Sequence, residues 1–239
     1  MARLAGCDDP LLGRALALFD TFSNAGSPAH GLELVYLVAG KFTSRLARVG
    51  ARQELEIWGP LGNGFPPRPT QHLVMVAGGI GYTPFLALAK EYLGQRRYGD
   101  PPRKVPLAQR VTLCYGVRTR DLLASVSEFA ALGVDVRIST NDGSAGAKGL
   151  VTDVLCESLT AAVPPPRIVC CGPEPMMATV ARIAAERGIR CQVSLETPMA
   201  CGLGICFSCV AKVRTGDSAW DYRRTCVEGP VFDAEKVEF

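Results

Sequence analysis

Apolar positions along this chain change rhythm twice. From His72 to Ala77 they run unbroken as HLVMVA, the pattern of a strand buried on both faces of a parallel sheet. A glycine-rich turn follows, Gly78-Gly79-Ile80-Gly81-Tyr82-Thr83-Pro84, and then a helical stretch over Phe85–Leu93. Thr83 is the expected N-cap of that helix and Pro84 its first residue. The alternation repeats as strand Val111–Val117, helix Asp121–Leu132, strand Val134–Ser139, helix Val151–Leu159, strand Arg167–Cys171, helix Pro175–Arg187 and strand Cys191–Leu195. In the last helix Met176, Met177, Val180, Ile183 and Ala184 share one face, and Gly188 takes the position just past its end. This spacing predicts βαβ units around a parallel sheet.

Residues 1–67 read as β-rich instead. Strands are expected over Leu32–Val38 (LELVYLV) and Glu54–Trp58 (ELEIW), each punctuated by glycine and proline. Two or three strands do not form a stable sheet alone, so this segment predicts the back part of a β-barrel whose front strands are absent. Pro66-Pro67-Arg68-Pro69 reads as a stiff linker. Beyond Leu195 the helical period stops and cysteines take over. The expectation is a multidomain chain of α/β plus β class: a truncated barrel over 1–67, a parallel-sheet α/β domain over 68–195 and a small third domain over 196–239.

Composition narrows the function. With 48% hydrophobic residues the chain has material for real cores, and its net charge is +3. The basic residues are scattered, which argues against nucleic acid. The longest uncharged run, Leu73–Ala89, carries Gly78, Gly79, Gly81 and Pro84 at its centre, too short and too broken to span a membrane. The opening MARLAGCDDP has charges and a proline where a secretory signal needs an apolar run. A cytoplasmic protein with reduced cysteines is expected.

Ten cysteines are present, and three fall in a C-x4-C-x2-C run with a fourth further on: Cys201, Cys206, Cys209 and Cys226. That is the plant-type [2Fe–2S] spacing, in which a short loop wraps three thiolates around the cluster and a separate segment brings the last. Gly202 and Gly204 allow the loop to close. A zinc site or disulfides are the alternatives; zinc usually pairs C-x2-C with a second close pair, which is missing here. Cys7, Cys114, Cys156, Cys170 and Cys191 read as small buried hydrophobes. His30 and His72 have no partner pattern.

Two glycine turns sit at one edge of the predicted sheet. Gly78, Gly79, Gly81, Thr83 and Pro84 follow one strand; Cys171, Gly172 and Pro173 follow another. Glycines let a backbone approach a pyrophosphate, and ligands of such sheets bind outside the strand C-termini. A ligand-free tight turn is the plainer reading of either one alone. Tyr115–Arg118 and Thr140–Gly143 close two more strands at the same edge. Asp142 reads equally as an acceptor for an adenosine ribose and as a simple Asp-Gly turn residue, and no arginine adjoins it in sequence, which favours NAD over NADP. In the first segment Arg14 and the turn Gly40-Lys41-Phe42-Thr43 are candidates to hold an anionic cofactor.

The motifs DPLLGRAL (Asp9–Leu16), GPLGNGF (Gly59–Phe65), GGIGYTP, the turn Tyr115–Arg118, CGPEPMM (Cys171–Met177), MACGLGICFSCVAKV (Met199–Val213) and YRRTCVEGPVF (Tyr222–Phe232) together resemble the electron transfer subunits of NAD-linked dihydroorotate dehydrogenases, within the ferredoxin reductase superfamily. The resemblance implies an FAD-binding barrel over 1–67, an NAD-binding domain over 68–195 and a [2Fe–2S] domain over 196–239. It implies that Arg14, Gly40 and Thr43 hold FAD, that the two glycine turns hold NAD, and that the four cysteines ligate the cluster. It further implies a partner catalytic subunit, bearing FMN and oxidising dihydroorotate in pyrimidine biosynthesis, in a heterotetramer of two copies each. Ala15 and Ala17 stand where the family's flavin motif has proline and serine, and the first barrel strands are not seen, so coding sequence upstream of Met1 is expected. Two rival functions stay open: an NAD(P)H oxidoreductase subunit serving a hydrogenase, sulfur reductase or ferredoxin, and a non-enzymatic iron–sulfur redox module without flavin.

Overall fold

The computed structural model describes residues 1–22, 30–160, 165–216 and 219–239. The first segment holds β1 (Ala2–Leu4), β2 (Leu18–Phe22), β3 (Gly31–Leu34), α1 (Lys41–Leu46) and β4 (Leu55–Ile57). β1 pairs antiparallel with β4, and β2 with β3, as two two-stranded ladders. Ala2, Leu4, Phe42 and Leu46 form a small core beneath the first ladder and α1. Both expected strands are shorter than the apolar runs suggested. Pairing of β3 with β2 ends at Leu34, and Leu37 and Val38 beyond it are exposed.

The middle of the chain alternates as the apolar rhythm predicts: β5 (His72–Gly78), α2 (Phe85–Tyr92), β6 (Arg110–Val117), α3 (Val126–Ala131), β7 (Asp135–Thr140), β8 (Ala147–Lys148), α4 (Val151–Thr160), β9 (Arg167–Cys171), α5 (Glu174–Glu186) and β10 (Cys191–Ser194). The cysteine segment adds β11 (Val210–Arg214), β12 (Trp220–Arg224) and β13 (Val231–Asp233). One seven-stranded sheet has the order β13-β10-β9-β5-β6-β7-β8. All its pairings are parallel except β13 on β10.

β5 sits at the centre, and every residue of it is buried. Its alternate side chains explain why. Leu73, Met75 and Ala77 pack under α2 and α3 with Phe85, Tyr92 and Phe129, while Val74 and Val76 pack under α4 and α5 with Leu155, Val180 and Ile183. Each such side chain contributes about 1.5–3 kcal/mol by leaving water, so the strand ends are firmly fixed.

Several details differ from the sequence expectations. Thr83 does not cap α2: Gly79–Tyr82 forms a tight 3-10 turn, Thr83 keeps helical backbone angles, and Pro84 precedes the helix with no side-chain cap. The expected helix Asp121–Leu132 splits into a 3-10 turn at Arg120–Leu122 and α3, because Ser125 between them takes φ +56°. Of the five cysteines read as buried hydrophobes, Cys114, Cys170 and Cys191 are buried, whereas Cys7 and Cys156 are only partly so. His72 is buried with its Nε2 2.9 Å from the Thr112 hydroxyl, a structural pairing. Among the described residues no helix is long and apolar enough to cross a membrane.

Candidate functional site

β5 and β9 are neighbours in register, with Ala77 opposite Cys171, so their following turns emerge side by side. The turns touch. A Cβ placed on Gly81 would stand 2.2 Å from the Cys171 carbonyl oxygen, and one on Gly78 would stand 2.7 Å from the Pro173 ring. Only glycine permits that approach. The paired turns form one wall of a cleft of about 2360 Å³ that the N-terminal segment closes from the other side. Gly78, Gly79, Gly81, Thr83, Pro84, Cys171, Gly172 and Pro173 line it, and so do Arg14, Gly40 and Thr43. Burial pushes the Cys171 thiol up to about 12, which makes it an uncharged part of the wall.

Asp142 is the exception among the expected cofactor residues, for it does not line the cleft; Asn141 does. Its Oδ1 accepts from the Ser144 hydroxyl at 2.6 Å and the Ser144 amide at 3.0 Å, and these bonds hold the carboxyl below its usual range. The carboxylate is engaged in its own turn. Nor is Asp142 remote from arginine once the chain folds. Its amide donates to the Arg118 carbonyl at 3.4 Å, and Arg118 at the end of β6 lines the cleft.

On the opposite wall, Arg14 is fixed by reciprocal backbone bonds with Ala2, 2.9 Å each. Arg14 lines the cleft, and a guanidinium is chemically suited to a phosphate. The Thr43 hydroxyl accepts from the amides of Ala39 and Gly40 and donates to the Gly40 carbonyl, all at 3.1 Å. Its role is to hold the turn in shape. Ala15 and Ala17 also line the cleft and offer no hydroxyl there.

The four cysteines lie on a loop and on the far side of a hairpin. Cys201–Cys209 leads into β11, and Cys226 follows β12, which pairs with β11. Cys209 and Cys226 are buried with their sulfurs 3.2 Å apart; Cys206 is exposed. The Leu203 amide donates to the Cys201 sulfur at 3.2 Å. That amide, the Cys206 thiol and the Ile205 amide together lower the Cys201 thiol to about 6, which favours its thiolate form. Burial and the adjacent Cys209 push Cys226 up to about 11, while Cys209 is held down by its bonds from Cys226. Gly202 and Gly204 have φ of +67° and +81°, as closing the loop requires. Among the described residues no three His, Cys, Asp or Glu side chains gather as a single ion would need. The thiols fall instead into two pairs, Cys201 with Cys206 and Cys209 with Cys226. Two bridged irons need two thiolates each, so the donor set fits a [2Fe–2S] cluster better than one tetrahedral zinc.

Residues that the sequence reading gave no role join this loop to the cleft. Trp58 lines the cleft, and its indole Nε1 donates to the Cys201 carbonyl at 3.0 Å. Asn63 accepts from the Val231 amide at 2.8 Å and donates to the carbonyls of Glu228 and Val231 at 3.1 and 3.0 Å. Beside it Gly62, at φ +63°, lies so close that a Cβ would stand 2.0 Å from the Gly229 oxygen. Arg224 donates to the Gly204 carbonyl at 2.9 Å and to Glu228 at 3.2 Å. Bonds from Arg223, then from the Arg224 amide, hold Glu228 down at about 2. The stretches GPLGNGF and YRRTCVEGPVF were the available signal: each carries a Gly-Pro step, at 59–60 and 229–230, and they prove to be the two sides of one contact.

Comparison with known proteins agrees with this division. The family model described as the iron–sulfur cluster binding domain of dihydroorotate dehydrogenase B matches residues 196–238, and the oxidoreductase NAD-binding domain matches residues 75–182. The electron transfer subunit of dihydroorotate dehydrogenase B (NAD(+)) from Caldanaerobacter subterraneus subsp. tengcongensis is 36% identical over 208 residues, covering 87% of this chain and 76% of that one. The subunit of the same name from Geobacillus sp. (strain WCH70) is 35% identical, covering 96% of this chain and 81% of that one. A solved structure of an NADH-dependent reduced ferredoxin-NADP oxidoreductase superposes with a TM-score of 0.69 at 28% identity, covering 87% of this chain and 68% of that chain. On its sequence, its fold and its paired thiols, the chain belongs to the family of dihydroorotate dehydrogenase B (NAD(+)) electron transfer subunits.

Proposed function

We propose that this chain relays electrons between an FMN-bearing dihydroorotate dehydrogenase catalytic subunit and NAD⁺ in the cytoplasm, in a heterotetramer of two copies of each. The observation that carries this reading is Trp58, which belongs to the cleft wall and also bonds the backbone of Cys201. When bound, the [2Fe–2S] cluster passes single electrons, FAD pairs them, and the nicotinamide takes a hydride.

The chain's own residues position these groups. Cys201, Cys206, Cys209 and Cys226 would ligate the cluster. Arg14 and the Gly40–Thr43 turn cradle the flavin phosphates, and the turns Gly78–Pro84 and Cys171–Pro173 seat the dinucleotide. The Asp142 turn stands at the adenosine end, with Asn141 and Arg118 facing the ligand. No side chain acts as acid or base; the proton chemistry of dihydroorotate belongs to the partner. Leu203, Ile205 and Phe207 project from the cysteine loop with 63%, 74% and 60% of their surface exposed, an apolar surface suited to the catalytic subunit. The working units are 1–67 for FAD, 68–195 for NAD and 196–239 for the cluster.

Mixing the cluster- and flavin-loaded protein with the catalytic subunit tests this. Dihydroorotate-dependent NAD⁺ reduction is expected in wild type and lost in Cys206→Ser, while NADH-driven reduction of a two-electron dye survives. A Cys206→Ser variant that keeps full coupled activity contradicts the reading. The 28% identity to a ferredoxin-NADP oxidoreductase structure supports one alternative, service to a ferredoxin-type partner. Reduced ferredoxin in place of dihydroorotate as the better donor would favour it.

A further inference from the structure

Between Cys201 and Cys206 the chain carries two exposed apolar side chains, Leu203 and Ile205, and two glycines at positive φ, Gly202 and Gly204. A peptide beside a glycine turns over at little cost, because glycine accepts both signs of φ. In a trans peptide the carbonyl and the N–H point opposite ways, so a carbonyl that swings inward carries an amide outward. Reduction adds negative charge to an iron–sulfur cluster. Amides directed at its sulfurs favour the reduced form, and carbonyls directed at them oppose it. The orientation of these few peptides therefore bears on the potential.

Two side chains from outside the loop fix that orientation. The Trp58 indole donates to the Cys201 carbonyl at 3.0 Å, and the Arg224 guanidinium donates to the Gly204 carbonyl at 2.9 Å. The Gly204 carbonyl shares its peptide with the Ile205 amide, which is one of the amides that reach the Cys201 sulfur. The Leu203 amide donates to the same sulfur at 3.2 Å. Both outside donors are braced. The Trp58 amide donates to the Met1 carbonyl at 3.1 Å, and a Cβ on Gly13 would meet the indole ring at 2.4 Å. Arg224 closes β12, and its Nε donates to Glu228 at 3.2 Å. Its guanidinium also lies 5.2 Å from the centre of the Phe207 ring. Phe207 has φ +55°, a left-handed angle uncommon for a bulky residue.

We propose that Trp58 and Arg224 are positioning residues that set the reduction potential of the cluster, by holding the carbonyls of Cys201 and Gly204 outward so that the loop amides face sulfur. The inference rests on the cluster assigned above, and it is independent of which partner exchanges electrons with the chain.

Anaerobic redox titration of the full chain, loaded with cluster and FAD, tests it, with chemical mediators and electron paramagnetic resonance as the readout. Trp58→Phe removes the indole donor and keeps an aromatic ring. Arg224→Met removes the guanidinium donor and keeps a long side chain. Each is expected to lower the equilibrium constant for cluster reduction about tenfold, or about 59 mV for a one-electron couple, with bound iron and sulfide at wild-type levels. Electron–nuclear double resonance should also show a weaker exchangeable-proton coupling to the reduced cluster in Arg224→Met. Glu228→Gln separates orientation from charge. It removes a negative charge beside Arg224 and leaves the Gly204 bond in place, so little change in potential is expected. Wild-type potentials in both Trp58→Phe and Arg224→Met overturn the proposal. So does a rise in Glu228→Gln that matches the fall in Arg224→Met while Trp58→Phe is unshifted, since charge alone would then explain the result. Should Trp58→Phe fail to hold a cluster, the potential of Arg224→Met decides the matter. The titration uses neither NAD⁺ nor a catalytic subunit, so an error in the electron-transfer reading shows separately, as missing dihydroorotate-dependent NAD⁺ reduction.

Discussion

Two glycine-rich loops carry the chemistry of this chain, and they are held in opposite ways. The Gly78–Pro84 turn leaves a strand buried along its whole length, enters a helix that begins with buried Phe85 and Leu86, and rests directly on the Cys171 turn. The Cys201–Cys209 loop is packed only at its glycines and Cys209, with Gly202 resting on Met1, Leu61 and Trp58. Leu203, Ile205 and Phe207 point outward, and the anchors are hydrogen bonds from Trp58, Arg224 and the loop's own amides. The first loop is therefore set by packing and is in place before any ligand arrives. The second depends on its thiols being drawn together by metal, since exposed apolar side chains contribute nothing to its closure.

Breaking the metal-dependent loop should have the largest effect. Cys206→Ser is expected to abolish the cluster, seen as loss of bound iron and sulfide, whereas Cys156→Ser leaves both at wild-type levels. Full iron and sulfide in the first variant would remove Cys206 from the ligand set. In the packed loop the corresponding change is Gly81→Ala, whose new methyl meets a backbone carbonyl. An overpacking cost of about 1–3 kcal/mol is expected, measured as a lowered denaturation midpoint with weakened NADH binding and an unchanged iron content. Equal loss of iron would show that the two loops are not independent.

Asn63→Ala probes the contact between the halves. It removes three hydrogen bonds to residues 228–231 and leaves partly buried groups unpaired, for about 1–3 kcal/mol in all. Faster hydrogen exchange is expected in residues 196–239 and not in β5 or β9. A smaller effect is expected from Glu228. Its carboxyl is held at about 2, against 4.5 in an unperturbed glutamate. The stabilisation is therefore complete above pH 4.5 and is lost as pH falls towards 2. The stability difference between wild type and Glu228→Gln should be constant at neutral pH and shrink across that window; a difference that grows on acidification would reverse the sign. Smallest of all, Asp142→Ala should leave NADH binding nearly unchanged, because the carboxylate is exposed and bonds only within its own turn. A large loss of NADH affinity would return Asp142 to the ligand.

The same contrast decides what could be read in the sequence. Strands such as β5 and β9 announce themselves, because burial on both faces demands an unbroken apolar run, and α5 does so through its apolar face with Gly188 at φ +61° past its end. The cysteine spacing is as legible, since thiolates must sit at fixed separations around a cluster. What escaped is set by contacts remote in sequence. β13 is three residues long and is a strand only because β10 offers an edge. The break at Ser125 depends on a backbone angle that a helical pattern does not encode. Trp58 and Asn63 lie 143 and 168 residues from their partners Cys201 and Val231. Asp142 stayed open because a turn residue and a ribose ligand look alike in sequence, and only the fold shows its carboxylate bonded to Ser144.

The central claim is that the cysteine loop and the cofactor cleft form one conduit within a single chain. Anaerobic addition of NADH to the isolated protein, loaded with FAD and cluster, tests it directly by electron paramagnetic resonance. The account predicts that the signal of a reduced [2Fe–2S] cluster appears with the loss of flavin absorbance and without any partner subunit. Flavin that is fully reduced while the cluster stays oxidised and silent would contradict it.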